Sequence, residues 1–500
     1  MTDYDMIIIG SGAGGGTLAY GLADTGKKIL ILERGGYLPR EVRNWDPNYI
    51  FTEQGYQTRE EWLDPDDRAY RPMAFYHVGG NTKVFGAVLQ RNRPEDFTEM
   101  RHEAGISPGW VVRHDEFEPY YMMAEHLYTI HGLAGEDPTE GPRSGPYPFD
   151  PFPHEPRIQE VADQLEARGF TPLHSTLALN RDVHHPERRP CIACRTCDPY
   201  PCMLHAKSDA EVVAVRPALA HPNVDLWTGC HVDRLEEKNG VVSKVHFTRE
   251  GEQRTLSADM VVVSCGAVNT AALLLRSGIA NSSGRVGHNL IKHNQSGITA
   301  IGKTPNPTIF QKTLGFHDWY HRSPEHDYPL GAIQLTGKAP WQRLQADAKG
   351  DVPLTMLQHM AAHAVDFWFT SEDLPKARNK VELKNGQIKF NYKPNNRKSH
   401  FQMMELFQRH LRKLDFYQFM PTTMELPIMW HQAGTCAFGD DPRTSVLDRN
   451  CKAHDLDNLY VVDSSFQPTM GAVNPTLTIA ANALRVADHL RERWGGGSKD

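Results

Sequence analysis

Apolar residues in this chain fall in short runs, and the runs end in glycine or an acid. Met6-Ile7-Ile8-Ile9 stops at Gly10, and Lys28-Ile29-Leu30-Ile31-Leu32 stops at Glu33. Runs this short and this uniformly apolar suit strands of a parallel sheet covered on both faces. Between them, small and apolar residues from Thr17 to Ala23 recur at helical spacing, and Gly26 closes the predicted helix. Val224-Asp225-Leu226-Trp227 reads as a further strand. Met260-Val261-Val262-Val263 is another and leads through Gly266 into a helix carrying Leu273 to Leu275. Leu459-Tyr460-Val461-Val462-Asp463 is the last such strand, followed by a closing helix from Leu477 to Leu490. Alternating segments between Val232 and Val263, broken at Lys238-Asn239-Gly240 and Glu250-Gly251-Glu252, predict a β-meander. From about 300 to 430 the chain turns rich in Pro, His, Gln and aromatic residues. There Lys384-Asn385-Gly386 predicts a hairpin, with His317, Trp319, Tyr320, Phe367, Trp368 and Trp430 either lining a cavity or filling a core. Gly495-Gly496-Gly497-Ser498 reads as a flexible end.

The first glycine turn carries chemistry. Gly10-Ser11-Gly12-Ala13-Gly14-Gly15 is a G-x-G-x-x-G pattern set between a strand and a helix. Gly10 permits the tight turn, Gly12 lets backbone approach a pyrophosphate, and Gly15 lets the helix pack on the sheet. The helix start at Ala13 and Gly14 offers unpaired N–H groups and the positive dipole end to phosphate. Glu33 stands where a carboxylate accepts from ribose hydroxyls, which disfavours the 2′-phosphate of NADP. The pattern leaves FAD and NAD both open.

Composition narrows the classes. Lys plus Arg (54) against Asp plus Glu (61) leaves a net charge of −7, with no basic surplus for a nucleic-acid partner. Mean hydropathy is −0.52, and no run is long enough to predict a membrane span. The N-terminus leads straight into a strand instead of a signal peptide, so the expected location is cytoplasmic.

Three later blocks resemble signatures of the glucose–methanol–choline (GMC) oxidoreductases. They are His77-Val78-Gly79-Gly80-Asn81-Thr82-Lys83-Val84-Phe85-Gly86-Ala87; Gly266-Ala267-Val268-Asn269-Thr270 with Leu273 to Gly278; and His431-Gln432-Ala433-Gly434-Thr435-Cys436 with Asp463 and Gly471-Ala472-Val473-Asn474-Pro475-Thr476. Gly284-Arg285-Val286-Gly287 through His293 is a further family-like segment. The resemblance implies an α/β fold, in which an FAD-binding Rossmann-like domain interleaves with an α+β substrate domain built on an antiparallel sheet. It implies FAD-binding parts at 1–120, 205–299 and 441–490, a cysteine-containing insert at 121–204 and a substrate domain at 300–440. His431 would be the base and Asn474 its partner, oxidising the CH–OH group of an alcohol or sugar-like substrate with hydride transfer to flavin N5. Cofactor contacts would come from Gly10, Gly12, Ala13, Gly14, Gly15, Glu33, Gly79, Gly80, Asn81, Thr82, Gly266, Asn474, Pro475 and Thr476. Val232 would meet adenine, and Asp463 would lie near the ribityl chain or pyrophosphate. There are departures at Ala271 and Ala280. The first block has Asn81 and Lys83 and lacks the histidine that attaches FAD in some members, so the flavin is expected to be non-covalent. Two readings stand beside this one: a flavin-containing lyase without net redox, and an NAD-dependent dehydrogenase.

Four of the eight cysteines crowd into Cys191-x-x-Cys194-x-x-Cys197-x4-Cys202. The spacing nears that of ferredoxins, one residue longer in the last gap. An iron–sulfur cluster, a structural zinc, disulfides and free thiols are all open readings. A cluster would favour a dehydrogenase that passes electrons to a quinone or protein carrier over an oxidase that uses oxygen.

Overall fold

The computed structural model describes residues 2–348, 351–423, 426 and 430–495. A five-stranded parallel sheet is built from distant parts of the chain, in the order Val224–Trp227, Ile29–Leu32, Tyr4–Ile9, Ala258–Val263, Leu459–Val461. Its central strands register residue for residue, with Ile7 opposite both Leu30 and Val261. Every side chain of Ile29–Leu32 is buried, which is why the run is apolar at each position. The first helix, Ala13–Leu22, begins four residues earlier than its apolar pattern, because Ala13 and the glycines after it are helical too. Gly26 ends that region in the left-handed conformation at φ +71°. The closing helix, Thr476–Gly495, packs across the first one, where a methyl on Gly21 would lie 2.9 Å from Ala487. The predicted meander is present as Cys230–Lys238, Val241–Arg249 and Glu252–Leu256, antiparallel throughout.

The second large sheet has six antiparallel strands in the order Phe416–Thr423, Asn294–Gly302, Ala364–Ser371, Ala332–Leu335, Leu314–Phe316, Leu173–His174. Side chains alternate across it. Ser296, Ile298 and Ala300, with Val365, Phe367, Phe369 and Ser371, face the helix Arg397–Leu411 and its Met403 and Phe407. The opposite face carries Gln295, Gly297 and Trp368, and it is this face that meets residues 430 and 431.

The Lys384-Asn385-Gly386 hairpin forms between Lys380–Lys384 and Gln387–Asn391 but is not in the six-stranded sheet. It joins Trp62–Leu63 and Ala69–Tyr70 in a separate four-stranded sheet. Trp319, Tyr320 and Phe367 are buried core residues; of the six aromatic candidates, Trp368 and Trp430 meet each other, their rings tilted by 31° with centroids 5.8 Å apart. Gly496, Gly497 and Ser498 lie outside the described residues. Among the described residues, no helix is long and apolar enough to cross a membrane.

Candidate active site

A long cleft, with about 1420 Å³ free of protein atoms, runs along the carboxyl ends of the parallel strands. Gly10, Gly12, Ala13, Gly14, Glu33, Gly80, Asn81, Thr82, Val232, Gly266, Asp463, Pro475 and Thr476 all line it. Each glycine of the first turn has a distinct geometric role. Gly10 sits at φ +99°, and a Cβ there would be 2.2 Å from the Ser264 carbonyl oxygen. A Cβ on Gly15 would meet the Gly10 carbonyl oxygen at 2.1 Å, so Gly15 serves helix packing and is not on the cleft wall. A Cβ on Gly12 would meet nothing within 4 Å, because that backbone faces the cleft. Gly79 is also off the wall; its N–H donates to Ser11 Oγ at 3.2 Å.

Glu33 is buried and accepts from the Ser11 N–H (3.0 Å), the Ser11 hydroxyl (2.6 Å) and the Gly35 N–H (2.9 Å). Burial pushes its carboxyl above the usual range, and these donors pull it back. Asp463 is likewise buried. It accepts from the Gly266 N–H (3.0 Å), the Thr270 hydroxyl (2.5 Å) and the Ser465 N–H (2.8 Å), which bolts the end of the last strand to the start of the Ala267–Ser277 helix. The residues fit a dinucleotide. The first helix starts at Gly12 with no side-chain cap, so its first N–H groups remain for phosphate oxygens. The Gly12 backbone faces the open cleft, where a Cβ would meet nothing within 4 Å, so a phosphate can approach it.

His431 and Asn474 are half-buried and are not themselves on the cleft wall, but Trp430 and Gln432 on either side of the one and Pro475 and Thr476 after the other are. The His431 Nδ1 lies 2.9 Å from His293 Nδ1 and 3.0 Å from the Gln295 side-chain amide. Burial, with Lys292 and His293 nearby, holds the His431 imidazole well below its ordinary pKa and therefore neutral. His293 and Gln295 were not singled out in the sequence; the one available hint was His293 closing the block that begins at Gly284.

All eight cysteines are free thiols, so no disulfide pins the 191–202 loop. Cys191, Cys194, Cys197 and Cys202 line one small pocket. Among the described residues, no three His, Cys, Asp or Glu side chains are grouped to hold a metal ion. The loop is tied to the first glycine block. The Lys207 ammonium donates to the carbonyls of Phe85 and Tyr200, at 2.7 and 2.8 Å, and Lys312 donates to that of Gly86.

The N-terminal GMC oxidoreductase family model matches residues 4–295, and the C-terminal one matches residues 328–483. The chain is 29% identical to paromamine 6'-oxidase of Streptomyces fradiae, covering 97% of this chain and 90% of that protein. It is 30% identical to 6'''-hydroxyparomomycin C oxidase of Streptomyces lividus, covering 97% and 92%. Fructose dehydrogenase large subunit of Gluconobacter japonicus is 25% identical, covering 97% of each. The solved structure of pyridoxine 4-oxidase from Mesorbium loti superposes with a TM-score of 0.72 at 18% identity, covering 98% of this chain and 99% of that one. Oxidase and dehydrogenase names both occur, so the similarity favours neither. With both halves of the family matched in order along one α/β chain, this protein belongs to the GMC oxidoreductases, FAD-dependent enzymes that oxidise CH–OH groups of alcohols and sugars.

Proposed function

We propose that this enzyme oxidises a hydroxyl of a sugar-like alcohol, with His431 as the base and Asn474 holding the reacting oxygen. The observation that carries the reading is the His431 ring itself. Two buried side chains engage its Nδ1, and its sequence neighbours on both sides face the cofactor cleft. That leaves Nε2 as the ring nitrogen for a substrate proton. In the reaction the alcohol O–H proton passes to His431 Nε2 while the carbinol C–H bond breaks with its electron pair, leaving a C=O product. The Asn474 side-chain N–H donates to the same oxygen and steadies the negative charge that grows there. Trp430 and Trp368 offer an apolar face for a sugar ring beside the base. The names of three relatives support a sugar-like substrate, while that of 2-methyl-1,2-propanediol dehydrogenase points to a small diol.

FAD, when bound, supplies the acceptor for the departing hydride. Backbone N–H groups at Gly12, Ala13 and Gly14 would take its pyrophosphate, with Gly10 shaping that turn and Gly15 seating its helix. Glu33 would take the adenosine ribose, Val232 the adenine side, and Asp463 the ribityl or pyrophosphate side. Gly79, Gly80, Asn81, Thr82, Gly266, Asn474, Pro475 and Thr476 complete the cradle. The cofactor is non-covalent in this reading. Asn81 and Lys83 stand in the first block without a histidine, and Lys83 is committed to Asp209 at 3.0 Å and Glu211 at 2.5 Å. A panel of sugars, aminated sugars, polyols and aryl alcohols tests the substrate class. Turnover confined to aryl alcohols would reject the sugar-like assignment.

For the electron acceptor, we propose a reading through the cysteine pocket. The Cys191, Cys194, Cys197 and Cys202 thiols border one pocket at a spacing near that of an iron–sulfur ligand set, though among the described residues they are not drawn together around a metal; a cluster there would pass electrons to a quinone or protein carrier. Iron and acid-labile sulfide should appear in the purified protein and vanish in Cys197→Ser. A wild-type protein free of both, reoxidised readily by oxygen, would make it an oxidase.

A further inference from the structure

The partners of His431 form a continuous hydrogen-bonded line whose proton positions can be deduced. His293 Nε2 lies 3.0 Å from the Gly471 carbonyl oxygen, which can only accept, so Nε2 carries the proton. His293 is buried, and burial pushes its pKa down to about 4, so the ring is neutral and Nδ1 is bare. The facing His431 Nδ1, 2.9 Å away, must therefore be the donor. Gln295 agrees once its amide is turned by half a rotation. Its oxygen then meets the His431 N–H, which it shares with His293 Nδ1. The line continues past the peptide. The Ala472 N–H donates to the Tyr320 hydroxyl oxygen at 2.9 Å, and that hydroxyl donates to Asp96 Oδ2 at 2.7 Å. The Gly471–Ala472 peptide is thus gripped on both sides, at the root of the loop that carries Asn474. Space at that point is tight, since a Cβ on Gly471 would lie 2.6 Å from both Asp96 Oδ2 and the Tyr320 oxygen.

We propose that His293 is a positioning residue that keeps the His431 proton on Nδ1 and its lone pair on Nε2, and that through the Gly471 carbonyl it locks this base to the Asn474 loop. The proposal rests on the reading of His431 as the base. Without His293 only Gln295 faces His431 Nδ1, and because its amide can turn either its oxygen or its nitrogen toward the ring, the His431 proton can sit on either nitrogen; in the wrong tautomer Nε2 cannot accept from an alcohol. Lys292 acts on His431 directly, and Asp96, Arg93 and Glu372 stand beyond Tyr320, so a pH profile must be read with those charges in place.

The test uses the FAD-loaded enzyme with His293→Leu, which removes both bonds, and His293→Asn, whose side-chain oxygen can still accept from His431. In H293L, kcat should fall by about 100-fold or more with KM changed little, and H293N should regain most of the loss. Nitrogen-15 spectra of histidine-labelled protein, assigned by the signal lost in H431N, should show His431 protonated at Nδ1 in wild type and H293N and mixed in H293L. Wild-type kcat in a flavin-loaded H293L overturns the proposal. If H293L does not fold, H293N decides, and a His431 protonated at Nε2 with an unchanged rate overturns it. Retained turnover in H431N would instead remove the base reading, whereas an inactive H431N beside a normal H293L removes only the role given to His293.

Discussion

At the scale of single residues, the account turns on an imidazole kept neutral by burial. A group whose charged form is disfavoured in the folded protein stays unprotonated as the pH falls past its ordinary value and gains its proton only lower down. For His431 the ordinary value is 6.5 and the shift is well downward, so the acid limb of the kcat/KM profile should lie below pH 6.5. A limb at or above 6.5, measured with substrate well under saturation, would contradict it. His431 and Asn474 could be singled out in the sequence only through the family resemblance of the blocks that hold them. His293 and Gln295 were not, because they stand 138 and 136 residues away from His431 and meet it only through the pairing of strands. Glu33 was placed well at its strand's end, but the three donors already bound to it could not be foreseen from spacing.

At the scale of elements, the glycine turn separates roles that one pattern merges. Gly15→Ala drives a methyl against the Gly10 carbonyl oxygen, so the helix must shift; overpacking of this kind costs about 1–3 kcal/mol and should lower the thermal midpoint. Gly12→Ala puts its methyl into open cleft, so the apoprotein should keep its midpoint while FAD titration shows weaker binding. Equal loss of stability in both variants would refute this division. The parallel strands could be read directly, since burial on both faces forces unbroken apolar runs. The 384–386 hairpin was readable as a hairpin but not in its sheet. Its neighbour strand, Trp62–Leu63, is two residues long and pairs through a single register position, far too little to leave a pattern.

At the scale of the whole molecule, one cleft gathers residues from the chain's beginning, middle and end: 9–14 and 32–34, 230–232 and 264–276, then 463–464 and 475–479. A ligand seated there joins all of them, and one that binds only the folded state adds RT ln(1 + [L]/Kd), about 2.7 kcal/mol at a hundredfold excess over Kd. FAD added to the apoprotein should therefore raise the thermal midpoint in a concentration-dependent way, followed by calorimetry; an unchanged midpoint would place the cofactor elsewhere. The interleaving itself showed in the sequence only through resemblance, because local patterns name strands but not their partners. The cysteine cluster was visible as spacing, and the structure added that its four thiols share one pocket bound to the first glycine block.

The most direct test of the central claim is the flavin spectrum of wild-type enzyme and His431→Asn, both purified with FAD, under anaerobic conditions with a saturating sugar-like alcohol. The account predicts that the yellow band bleaches promptly in the wild type, and in H431N slower by about 10²–10⁴-fold. Bleaching of H431N at the wild-type rate would contradict it.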